Sequence, residues 1–239
     1  MAVNRETRGA VAAAATRQGS ALAAMAWAGI VGPILFTVAF LAQEALRRDE
    51  FSPVAEPVSA LEAGPNGWVQ QVNFLVFGLL TTAHAIGLHR GIGPARGGWA
   101  GPALLFLTGI GALVSGVFPL REDAAGITYD PGGHLVGGMI FFLGSPAAFI
   151  VLSRRMRRDP SWRGLAPYTL CSGLVLLALA AVGMVFVNPD AARFHDWAGL
   201  YQRILVVAVL FPCRIALGVR LLSITRAPQE TSGARPEAR

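Results

Sequence analysis

Two short stretches hold most of the side chains capable of chemistry. Gly116 to His134, GVFPLREDAAGITYDPGGH, gathers Glu122, Asp123, Asp130 and His134. Asn188 to Arg203 is shorter and gathers Asp190, His195, Asp196, Gln202 and Arg203. An imidazole tuned by nearby carboxylates is the equipment of acid/base catalysis. His134, His195, Asp123 and Asp130 are therefore the catalytic candidates. The same groups are of the types that bind zinc or manganese. Their spacing contains no HxxxH, no HExxH and no paired cysteines. Nothing in it forces convergence, so neither a metal nor a cofactor is expected. Capping is the simpler role for part of the set. Asp130-Pro131-Gly132-Gly133-His134 reads as a turn into a helix start, where anions are favoured, and Asp196 reads the same way.

A second group of polar residues lies inside apolar runs, where each is costly and by default points to function. On a wheel of 100° per residue, Gln70, Asn73, Thr81 and His84 fall within about 80° of arc. Asp196, Arg203 and Arg214 fall within about 40° on another run, with Arg203 and Arg214 roughly 16 Å apart along the axis. Glu44 sits at a depth comparable to Arg203, which makes the two a candidate buried pair. The planar fork of Arg203 also suits an anionic head group. Arg203, Gln202, Glu44, Asn73 and Gln70 are the expected ligand-binding residues. Arg214 has no acid at its depth and is expected to snorkel or to bond carbonyls freed by Pro212. His84 is expected to bond a neighbouring helix, and His89 to lie at an interface.

The elements that position these residues follow from composition. The chain is 54% hydrophobic and only 14% charged, with mean hydropathy +0.52; soluble domains carry about 25% charged residues. Apolar runs at 22–46, 68–89, 98–119, 134–153, 165–187 and 198–223 are each long enough to cross a bilayer as helix. The expected fold is all-α, a six-transmembrane-helix bundle, with disordered tails at 1–21 and 224–239. The first run is longer than a signal-peptide core and lacks a small-x-small cleavage site, so it reads as a retained anchor. The net charge of +6 is carried entirely by arginine. Fourteen of the 20 arginines fall in the N-tail, 90–97, 154–164 and from Arg220 onward. Under the positive-inside rule both termini are cytoplasmic and the acidic loops face outward. This is topogenic charge rather than a nucleic-acid footprint, and the expected location is the plasma membrane. Cys171 and Cys213 lie inside apolar runs and read as free, buried thiols. The longest outer loop, 47–67, contains VSALEAGPNGW, a short amphipathic stretch suited to a lid or interfacial helix. A faint repeat relates Trp99-Ala100-Gly101…GVFP to Trp162-Arg163-Gly164…GMVFVNP, each followed by acids and a histidine. Duplication and shared topology both produce such a pattern.

Three segments taken together, SALEAGPNGWVQQVNF (59–74), GVFPLRED…GGH (116–134) and WAGLYQR (197–203), resemble the bacterial and archaeal membrane-protein family catalogued as domain of unknown function 998. The resemblance spans roughly 22–223 and implies six helices with an outward-facing polar cluster. The acid that follows the Phe-Pro pair in that family is displaced here, with Leu120 and Arg121 intervening before Glu122 and Asp123. Three functions fit the residues. The first is binding or sensing of a lipid or other amphiphile in an outer polar pocket, with membrane lipids as partners. The second is an intramembrane enzyme on a lipid or isoprenoid substrate, and the third is a small transporter or proton pathway. The sequence leaves open whether the protein is catalytic and what its oligomeric state is.

Overall fold

The structure, a computed structural model, describes residues 2–93, 98–183 and 196–226, without the side chains of 2–15. It is an all-α bundle whose long helices we number α1 to α6: Ala2–Leu46, Trp68–Gly91, Ala100–Val117, His134–Met156, Ala166–Gly183 and Ala198–Arg226. The apolar parts of all six are long enough to cross a membrane. Helices adjacent in sequence are adjacent in space, and α6 closes the ring by packing on α1 and, more lightly, on α2 and α5.

The outward face is apolar, with Leu41, Val72, Leu79, Leu143 and Leu177 exposed, while Gln70, Asn73, Thr81, His84 and Arg214 are buried. That inversion is expected when lipid is the solvent. Association between such helices then rests on close packing rather than on the hydrophobic effect. Gly111 and Gly137 supply it between α3 and α4: a Cβ on Gly137 would lie 2.5 Å from the Gly111 carbonyl oxygen, and one on Gly111 2.6 Å from the Gly137 oxygen.

Several local features depart from the sequence reading. α1 continues upstream of the first span to Ala2, through the residues expected to form a disordered tail; that stretch is rich in alanine, the best helix former. Residues 227–239, the rest of the expected C-tail, lie outside the described residues. Both cysteines are free, but only Cys213 is buried; Cys171 is exposed on α5. α6 is not uniform. It is α-helical over Ala198–Arg203, π-helical over Ile204–Leu210 and α-helical again over Phe211–Arg226. Bonding from i to i+5 takes more residues per turn. The polar stripe drawn at 100° per residue therefore does not carry through the π stretch, and Arg203 and Arg214 meet different neighbours.

Loops close both ends of the bundle. At one end, loop 47–67 folds across the helix tips and forms a 3-10 turn, Val58–Glu62, with Val58, Ala60, Leu61 and Glu62 buried. It runs beside the start of α6: Gly199 N donates to Ala55 O and Leu200 N to Val54 O. The close approach requires glycine, since a Cβ at Gly199 would fall 2.3 Å from the Glu56 oxygen. At the other end, Arg155 donates to the carbonyls of His89, Ile92, Gly93 and Gly98. Trp162 Nε1 donates to Gly91 O. Arg155 was expected only as topogenic charge, yet it organises the α2–α3 connection.

Candidate functional site

The site lies at the end closed by loop 47–67 and is built around Glu62 and His134. Burial of Val58, Ala60 and Leu61 carries Glu62, the last residue of the 3-10 turn, to a position where its side chain has no solvent exposure. His134 is the first residue of α4. It is delivered by Gly132 and Gly133, whose φ values of 123° and 106° suit glycine. At Gly133 a Cβ would also meet the Phe118 ring at 2.6 Å. Asp130 fixes the start of the helix. Its two carboxylate oxygens accept from Gly132 N and Leu135 N, each at 2.8 Å.

His134 Nδ1 lies 2.9 Å from Glu62 Oε2, with the Ser115 carbonyl oxygen also within 3.3 Å. The ring stands edge-on to Phe74, with centroids 5.7 Å apart. Glu62 Oε2 also accepts from Leu120 N at 3.1 Å. Glu62 Oε1 is buried and has no hydrogen-bond partner among the described residues. Burial pushes the Glu62 carboxyl above its ordinary value. The bond and charge of His134 and the Leu120 N–H pull the other way without cancelling it. Asp130 is the reverse case. Burial raises it, but the backbone N–H groups of Leu135, Gly132 and His134, together with the nearby His134 charge, outweigh this and hold it below the ordinary carboxylate value.

Glu62 lines an open cleft of about 680 Å³ together with Gly64, Gln71, Pro119, Leu120, Arg121, Glu122 and Asp123. Its charged lining is Glu62, Arg121, Glu122 and Asp123, and the Arg47 guanidinium lies with the Glu122 carboxylate against Gly64. Asp123 Oδ1 accepts from Ala125 N and Ile127 N, both at 2.9 Å. It thereby shapes the turn between the two-residue strands β1, Arg121–Glu122, and β2, Thr128–Tyr129. Asp123 and Asp130 thus both serve as turn and helix-start acceptors.

The expected ligand-binding residues fall into two groups. Glu44 Oε1 accepts from Arg203 Nε at 3.1 Å and from Arg203 Nη2. Arg203 Nη1 donates to Glu56 O at 3.0 Å, and Gln202 Oε1 accepts from Val58 N at 2.7 Å. Glu44, Gln202 and Arg203 therefore pin loop 47–67 to α1 and α6. Gln70 Oε1 accepts from Gln43 Nε2 and Asn73 Nδ2, and Asn73 Nδ2 also donates to Phe36 O. These bonds join α1 to α2 deeper in the bundle.

Below Asn73 the stripe on α2 is interrupted. Phe36, Phe77 and Phe211 form a mutual cluster with centroids 4.8 to 5.9 Å apart, and Phe141 packs on Phe77 at 5.9 Å. Thr81, His84 and Arg214 lie beyond it. His84 Nδ1 contacts Met25 O of α1 at 3.2 Å. Arg214 neither snorkels nor bonds freed carbonyls as expected. It is 1% exposed and its three nitrogens have no hydrogen-bond partner among the described residues.

His195 and Asp190 lie outside the described residues. Asp196 is exposed beside the start of α6. No group of three or more His, Cys, Asp or Glu side chains able to hold a metal converges among the described residues.

Glu62 is the site residue that the sequence did not single out. Its signal was slight: one acid set among the apolar residues of VSALEAG, six positions ahead of the next span. What marks it is its place in an otherwise apolar stretch that folds as a 3-10 turn and is buried from Ala60 to Ala63.

A family described as "Protein of unknown function (DUF998)" matches residues 30–218. No curated protein and no solved structure matches the chain. The match covers α2 to α5 entirely, most of α6 and the second part of α1, and it includes both halves of the Glu62–His134 pair; the chain, with its six helices long and apolar enough to cross a membrane, belongs to the DUF998 family.

Proposed function

We propose that the protein binds an amphiphile at the Glu62 cleft, and that the polar end of this ligand donates hydrogen bonds, as an amine or hydroxylated head group does. The observation that carries the reading is Glu62 Oε1. It is a buried carboxylate oxygen without a hydrogen-bond partner among the described residues, on a residue that lines the cleft. A buried acceptor of this kind is costly until a donor meets it. His134 holds the other oxygen and so fixes the direction in which Oε1 points. This shifts the polar contact away from Arg203, held by Glu44 and the Glu56 carbonyl, and from Gln202, whose Oε1 accepts from Val58 N. In this reading the cleft faces the exterior of the plasma membrane, with both termini in the cytoplasm, as the arginine distribution argues.

The test is mass spectrometry of amphiphiles co-purifying with the full chain. Wild type is expected to retain one class of amine- or hydroxyl-bearing species. Glu62→Gln, whose amide is a weaker acceptor without charge, is expected to retain at least about tenfold less, the loss of one charged hydrogen bond. An identical complement of bound species in the two proteins would rule the reading out.

A second reading is favoured by one contact. A carboxylate on Nδ1 of an imidazole is how a general base is oriented. If the bound amphiphile is converted by wild type and remains intact with His134→Ala, the cleft is catalytic and His134 is its base.

A further inference from the structure

We propose that Arg214 and His84 form a second binding site, inside the bundle, for one small monovalent oxyanion. Arg214 is 1% exposed and His84 fully buried. Arg214 Nε, Nη1 and Nη2 and His84 Nε2 are all without a hydrogen-bond partner among the described residues. Both side chains flank the same point on α1: a Cβ on Gly29 would meet the His84 ring at 2.3 Å, and a Cβ on Gly218, one turn along α6 from Arg214, would lie 3.3 Å from the Gly29 carbonyl carbon. The guanidinium sits over the Phe77 ring, with its carbon 4.8 Å from the ring centroid. A cation–π contact of that kind covers the face of the cation. It leaves the N–H groups, which radiate from the edge, unanswered.

An isolated guanidinium among apolar helices is expensive, and such charges are paired or mark a binding site. Glu44, the carboxylate on neighbouring α1, is committed to Arg203. The Phe36–Phe77–Phe211 cluster separates Arg214 from the Gln43–Gln70–Asn73 group. A ligand is therefore the natural counter-charge. The charge of one arginine selects a monovalent anion, because a divalent one would leave a net negative charge in the same apolar surroundings. Adjacent N–H groups on the rigid fork select two oxygens held side by side. His84 adds a further preference. Its Nδ1 donates to Met25 O, which fixes the tautomer and leaves Nε2 as an acceptor. An oxyanion that also carries a hydroxyl, such as hydrogencarbonate, would satisfy both side chains. Formate would satisfy Arg214 alone.

The experiment uses the full chain in lipid nanodiscs at constant ionic strength with gluconate as the background anion, whose six-carbon chain is too bulky to follow its carboxylate to a guanidinium that is 1% exposed. Thermal midpoints are followed as formate, hydrogencarbonate, chloride or sulfate replaces gluconate. Formate and hydrogencarbonate are expected to raise the midpoint and saturate. Chloride, with the same charge but a single contact point, is expected to act at least about tenfold more weakly, and sulfate not at all. Arg214→Leu is expected to abolish the response. His84→Phe is expected to weaken hydrogencarbonate about tenfold while leaving formate nearly unchanged, and it carries the test if Arg214→Leu does not fold. The proposal is overturned if wild type shows no anion-specific shift, as for a guanidinium satisfied by water. It is equally overturned if chloride matches formate, or if the response survives both substitutions.

Discussion

Arg203 and Arg214 stand on one helix and have opposite fates. Arg203 has a carboxylate from α1, a carbonyl from loop 47–67, and the rings of Phe40 and Phe51 each 5.9 Å from its guanidinium carbon. Arg214 has one aromatic face and no hydrogen bond among the described residues. The first arrangement is that of a structural fastener, in which each of the three guanidinium nitrogens is met by protein. The second is that of a site whose complement is supplied from elsewhere. The contrast shows that a charge inside a membrane bundle gains its meaning from what answers its donors, not from its being there. The carboxylates at the loop-closed end repeat the lesson: both oxygens of Asp130 are bonded by backbone N–H groups, whereas Glu62 has one oxygen bonded and one bare.

The comparison breaks most sharply at Glu44. Glu44→Leu leaves Arg203 buried without its counter-charge and is expected to cost about 3–5 kcal/mol, the usual penalty for removing one partner of a buried pair. Steric trapping in bicelles measures this, and the Glu44→Leu/Arg203→Leu double variant should recover much of the loss. Arg214→Met should go the other way. In gluconate alone, removing an unanswered buried charge is expected to raise stability by about 1–3 kcal/mol. A loss as large as that of Glu44→Leu would place Arg214 with Arg203 as a fastener.

Asp130→Ala removes two backbone acceptors at the start of α4 and is expected to cost about 1 kcal/mol. The folded carboxyl value is held below the ordinary 3.8, so the native state binds its proton less readily. The contribution of Asp130 is therefore fully present above that ordinary value and is lost as pH falls through the lower folded value. Asp130→Asn should flatten that acid limb in a thermal melt series. Glu62 has the opposite sign. Its folded value is raised, so the native state binds the proton more readily. Its contribution is present below the ordinary 4.5 and is lost as pH rises through the folded value. Glu62→Gln should remove this slope, the smallest of the expected effects.

How much of this was legible beforehand depended on whether the information was local. Glu44 and Arg203 could be matched because depth along a helix is counted in residues, at about 1.5 Å each. Asp130 could be read as a helix-start acceptor because its partners lie two and five positions away. Glu62 and His134 are separated by a whole helical hairpin, and their meeting depends on how loop 47–67 lies across the helix tips. A wheel drawn on α6 placed Arg203 and Arg214 on one stripe because it assumed uniform α-helix. The π stretch Ile204–Leu210 breaks that assumption. The polar stripe on α2 was correctly composed, yet phenylalanines from α1, α4 and α6 divide it into two unconnected parts.

By itself the sequence determined that this is a bundle of six membrane-spanning helices, because span length and apolar character are properties of consecutive residues. It also determined the family, because the match runs along those same residues. Tertiary structure alone decided which polar groups are answered. That outcome depends on the positions of donors and acceptors on different helices and loops, and in an apolar medium each bond made or missing changes the role of the side chain that carries it.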